Sequence, residues 1–118
     1  MVDPIDRAAL DELVEMTGGD RAFLADLIDT FSTEAAGMLA ELEAAAANRD
    51  AAALLAPAHS LKSNAASFGA HGLAELCRAI EHDAREGSVP DAEARVASVR
   101  EALAAVEGAL QAERNAPT

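Results

Sequence analysis

Apolar residues recur at helical spacing along most of the chain, in five stretches separated by short polar or glycine-containing breaks. The first runs from about Pro4 to Met16, with Ile5, Ala9, Leu10, Leu13 and Val14 on one face. Asp3 is placed to cap it, Pro4 suits a first helical position, and Thr17-Gly18-Gly19 ends it. The second opens on Asp20 and keeps its stripe through Phe23, Leu24, Leu27, Ile28, Phe31, Ala35, Met38, Leu39 and Leu42 to about Asn48. Gly37 weakens it locally, by on the order of 1 kcal/mol against alanine. Asp50 caps a third stretch that ends at Phe68-Gly69. A fourth, from about Ala70 to Glu86, carries Leu73, Leu76, Cys77, Ile80 and Ala84. Ser88-Val89-Pro90-Asp91 is a turn, with Asp91 as the next N-cap. The fifth stretch, from Ala92 to about Arg114, turns Val96, Val99, Leu103, Val106 and Leu110 inward.

Connections this short force antiparallel neighbours. The pattern therefore predicts an all-α protein: an up-and-down antiparallel four-helix bundle with an additional short N-terminal helix packed across one end. The 118 residues suit a single domain with one core, ending in a frayed tail over 115–118.

Composition narrows the function. Three per cent aromatics with neither Trp nor Tyr, only four prolines and abundant alanine agree with helices throughout. A net charge of -12 argues against nucleic acid and anionic membrane surfaces as partners. Cys77 is the single cysteine, so no internal disulfide forms, and a cytoplasmic location is expected. Asp3, Asp6 and Asp11 interrupt any leader-like start, and no apolar run approaches the roughly 20 residues that span a bilayer. A monomer is expected.

The chemistry is concentrated in Ala58-His59-Ser60-Leu61-Lys62-Ser63-Asn64. With about 100° per residue, Leu54, Ala58, Leu61, Ala65 and Phe68 define the core face, and His59 points away from it. Lys62 lies about -60° from His59, Ser63 about +40° and Ala66 about -20°. Ala52, Leu55 and Ala56 fall within about 60° on the preceding turns. The imidazole thus has a collar of small residues and one cation at i+3, within reach of a phosphoryl group on the ring. Phosphoryl transfer needs positioning and charge neutralisation more than elaborate machinery, so this pair is a sufficient local apparatus if a partner supplies the rest. Geometry alone favours a solvated surface His/Lys pair, because such isolated pairs are common.

The same run, with Phe68-Gly69, Leu73, Leu76-Cys77 and Ile80-Glu81, resembles histidine-containing phosphotransfer (HPt) domains of two-component phosphorelays. The likeness covers essentially the whole chain, including Gly18-Gly19-Asp20, Phe23-Leu24 and Phe31. It implies a bundle that accepts phosphate on one histidine from a receiver-domain aspartate and passes it to another receiver, with no ATP site or kinase activity of its own. Partners would be receiver domains of response regulators or a hybrid histidine kinase. No cofactor of its own is implied; the divalent metal would sit in the receiver. Position by position, His59 would be phosphorylated and Lys62 would steady the phosphate. Ser63 stands where glycine is commoner, still small and able to donate a hydrogen bond. Asn64, about 140° from His59, would be structural or supporting. Glu81 and Arg85 lie about 80° and 120° from the apolar centre of their helix. The resemblance places a Gln or Glu like Glu81 against a ring nitrogen, and Arg85 as added positive charge near the docking surface. A solvated, salt-bridged helix edge is the alternative for both.

Two rival functions differ in sequence. A histidine-kinase dimerisation domain usually has an acidic residue directly after its histidine, where Ser60 stands here. A non-catalytic helical adaptor would leave His59 unmodified. His71, Glu75 and His82 share an exposed face, but the two histidines are roughly 16 Å apart along the axis, too far to share one zinc ion. Cys77 reads as a buried small hydrophobe, and Met16 and Met38 as core filler. Pro57 either kinks the third helix or restarts it.

Overall fold

The computed structural model describes residues 4–116. Five helices follow in order: α1 (Arg7–Met16), α2 (Arg21–Ala47), α3 (Ala51–Ser67), α4 (His71–Arg85) and α5 (Ala92–Arg114). No strand occurs among the described residues. α2 packs on α3 and α5, and α4 packs on the same two, so α2 to α5 close an antiparallel ring. Leu24, Ile28, Phe31, Leu42, Leu54, Leu61, Leu73, Ile80, Val99 and Leu110 fill its interior. Phe31 and Phe68 meet at a ring-centroid distance of 5.0 Å.

Four helices stop in the same way. After α1, α2, α3 and α4, the second residue beyond the cap donates its N–H to the carbonyl five residues back, as Ala70 does to Ala65 at 2.9 Å. The intervening residue takes positive φ: Gly18, Arg49, Gly69 and Gly87. At Gly69 the demand is double. Its φ is +74°, and a Cβ there would fall 2.8 Å from the Ala9 methyl and 3.0 Å from the Asp6 carbonyl oxygen. That close approach is how α1 crosses the end of the bundle. Asp6 N–H donates to Gly69 O at 2.7 Å, and Arg7 pairs with Glu113 of α5 at 2.8 Å.

Some details differ from the sequence pattern. α1 begins at Arg7 rather than Pro4, because Asp6 caps it by accepting from Ala8 N–H at 3.0 Å. The expected cap, Asp3, and the tail residues 117 and 118 lie outside the described residues. Met16, the last residue of α1, is not core filler but 83% exposed. Phe23 and Leu76 belong to apolar stripes yet sit at their rims, 50% and 37% exposed. Asp91 precedes α5 as expected, but with φ +54° and no capping bond from its carboxylate. Pro57 is buried within an uninterrupted α3, so the helix does not restart there.

Candidate functional site

α3 runs through its middle turns with His59 on the outer face and Leu61 and Ala65 fully buried behind it. The His59 side chain is 55% exposed. α4 lies antiparallel alongside and contributes Glu81, which is buried to 1% exposure. Sequence phase had put Glu81 on a helix flank. In the packed structure that flank is the α3–α4 seam, so the carboxylate is enclosed.

A carboxylate taken out of water requires partners. Glu81 has three. Its Oε2 accepts from His59 Nδ1 at 2.8 Å and pairs with an Arg85 terminal nitrogen at 2.7 Å. Its Oε1 pairs with Lys62 Nζ at 2.6 Å. Lys62 holds its carboxyl down at about 2, against the opposing effect of burial, with further help from His59 and the Arg85 charge. Glu81 is therefore ionised throughout the physiological range.

An ionised carboxylate is acceptor-only, so the 2.8 Å contact makes His59 Nδ1 a donor. In the neutral ring the proton then sits on Nδ1, and Nε2 carries a free lone pair at the opposite, outward end. Lys62, at i+3 on the same helix, and Arg85, on α4, both pair with the carboxylate that holds Nδ1. α3 itself carries no Asp or Glu, so on a chain of net charge -12 the histidine helix presents no anion to repel an incoming phosphoryl group.

The other sequence candidates lie at varied distances from this cluster. Ser63 is exposed on the outer face of α3, and its carbonyl accepts from the Ser67 hydroxyl at 3.1 Å. Asn64 faces α2 instead of His59: its side-chain nitrogen donates to Glu34 Oε2 at 3.0 Å. Glu34 has no counterpart in the sequence pattern, because a hydrogen bond between two separate helices leaves no local signature. His71 pairs with Asp6 at 3.2 Å, on the far end of α4 from Glu81. Cys77 is buried one turn before Glu81, and burial together with that negative charge pushes its thiol up to about 12, as suits a packing residue.

An up-and-down bundle presenting one tautomer-fixed imidazole that shares a buried carboxylate with two cations, on an open helical face, is a carrier surface: it suits exchange of a group with another protein's reactive residue. The comparisons with known proteins agree. The family model described as Hpt domain matches residues 26–109. The crystal structure of histidine-containing phosphotransfer protein B from Pseudomonas aeruginosa PAO1 superposes with a TM-score of 0.87 at 31% identity, over 97% of this chain and 96% of that one. No curated protein matches. The chain belongs to the Hpt family and is a histidine phosphotransfer protein of phosphorelays. Hpt domains pass phosphoryl groups to receiver domains, and no helix among the described residues is long and apolar enough to cross a membrane.

Proposed function

We propose that His59 is the phosphorylated residue, taking a phosphoryl group at Nε2 from the aspartate of one receiver domain and delivering it to another. The observation that carries this is the 2.8 Å contact from Glu81 Oε2 to Nδ1 of a half-exposed ring. It fixes which nitrogen is free and aims it outward. Lys62 steadies the charge gathering on the phosphoryl oxygens, and Ser63, with its small side chain, leaves space for the receiver to approach. Arg85 acts through Glu81. Asn64 acts further out, fastening the histidine helix to α2 through Glu34. The finer expectations belong to the same proposal: a monomeric module spanning 1–118, in the cytoplasm, without a cofactor of its own, the divalent cation residing in the receiver.

Incubation with a receiver domain phosphorylated on its aspartate tests this reading. An acid-labile, alkali-stable label that maps to His59 and disappears in His59→Gln supports it. No label from any of a panel of receivers, with the protein folded, refutes it and favours an adaptor role.

A further inference from the structure

The resting site contains a conflict that phosphorylation must resolve. Lys62, at i+3 from His59, is the cation proposed to meet a phosphoryl group there, yet it is already engaged with Glu81 Oε1 at 2.6 Å. We propose that Glu81 and the phosphoryl group compete for Lys62, so that the Lys62–Glu81 pair limits how firmly phosphate is held on His59 and keeps it ready for transfer. This rests on the reading of His59 as the acceptor.

The two oxygens of Glu81 are not equivalent. Oε2 has two partners, His59 Nδ1 and Arg85, whereas Oε1 has Lys62. Glu81 is 1% exposed, so water does not replace a partner that leaves. Handing Lys62 wholly to the phosphate would strand Oε1 in the α3–α4 seam. Arg85 does not relieve this, because it lies on the other oxygen. A glutamine at this position could still accept from Nδ1 but would carry no charge to retain the ammonium. The carboxylate therefore does two separable things: it orients the ring, and it withholds part of the cation.

In the transfer step the Nε2 lone pair forms the N–P bond. The P–O bond to the receiver aspartate breaks, and its electron pair leaves on that carboxylate. The Nδ1 proton stays in place, so the ring becomes cationic and faces Glu81. Onward transfer or hydrolysis returns the N–P pair to Nε2. Throughout, Lys62 lies between two anions, the buried carboxylate and the phosphoryl group. The more it is held by the first, the less it stabilises the second, and the higher the transfer potential of the phosphohistidine.

The test is the lifetime of the phosphohistidine after removal of the phosphorylated receiver, followed by its phosphorus NMR signal. Wild type, Glu81→Gln, Lys62→Ala and the double variant are compared, each checked for helicity. Freeing Lys62 in Glu81→Gln should lengthen the lifetime roughly threefold or more, and Lys62→Ala alone should shorten it less than about twofold. In the Lys62→Ala background the Glu81→Gln effect should largely vanish. An unchanged or shortened lifetime in Glu81→Gln, or equal lengthening with and without Lys62, overturns the proposal. A wild-type protein that takes no label at all removes the reading of His59 instead. If Glu81→Gln fails to fold, the side-chain ammonium resonance of Lys62 in wild type decides: it should shift on phosphorylation, and a resonance that stays put overturns the competition.

Discussion

Glu81→Gln should destabilise the fold in a way that depends on pH. In the folded chain the carboxyl titrates at about 2, below its ordinary 4.5. A group whose folded value is depressed contributes stability above its unfolded value and loses it as pH falls through the folded one. At 1.36 kcal/mol per pH unit, the gap corresponds to about 3 kcal/mol. Two of the three partners, His59 and Arg85, have side chains 55% and 60% exposed, so solvent screens part of it, and about 2 kcal/mol is expected. Denaturant unfolding of wild type and Glu81→Gln at intervals from pH 7 to pH 2 measures the difference. It should be near 2 kcal/mol from neutrality down to about pH 4.5, then shrink toward zero by about pH 2. Asp29, Glu75 and Glu113 are also held below their usual range by arginine partners, but they are common to both proteins and cancel in the difference. A difference that stays constant across the whole range, or is absent at pH 7, would refute the account of Glu81 as an ionised, triply partnered buried group.

Two further substitutions probe the scaffold. His59→Gln should change unfolding free energy by less than about 1 kcal/mol, since the ring is more than half exposed and only its Nδ1 is bonded; a larger loss by chemical denaturation would mean that the imidazole carries the seam. Gly69→Ala should cost about 3 kcal/mol: roughly 1 for a Cβ at positive φ, and the rest for displacing Ala9 and Asp6 from contacts of 2.8 and 3.0 Å. A thermal midpoint within a degree or two of wild type would show that α1 yields without cost.

Helix order, the caps of α2 and α3 and the outward aim of His59 were legible in the sequence because each follows from local spacing. Asp20 and Asp50 accept from the third residue onward, as their type and position predict, and Leu61 and Ala65 are buried opposite the imidazole. What local spacing does not contain is how two helices rotate against each other. Met16, Phe23 and Leu76 fit their stripes and still face solvent, because the width of a stripe says nothing about where the neighbouring helix ends. Asn64 meets Glu34 across thirty residues for the same reason.

Glu81 shows the limit most sharply. A glutamate near an apolar stripe is ordinarily a solvated edge, and the wheel alone gives no cause to bury it. Its burial becomes intelligible only when α3 is laid beside α4, and Lys62 and His59 arrive from one side while Arg85 arrives from its own helix. Remove any one of these and the carboxylate has less to offset its desolvation. Within α3 and α4, then, the charged side chains nearest His59 are not independent decorations of a reactive ring. They form one electrostatic unit with a buried negative centre, and a change at Lys62 or Arg85 acts on the imidazole through that centre as well as directly.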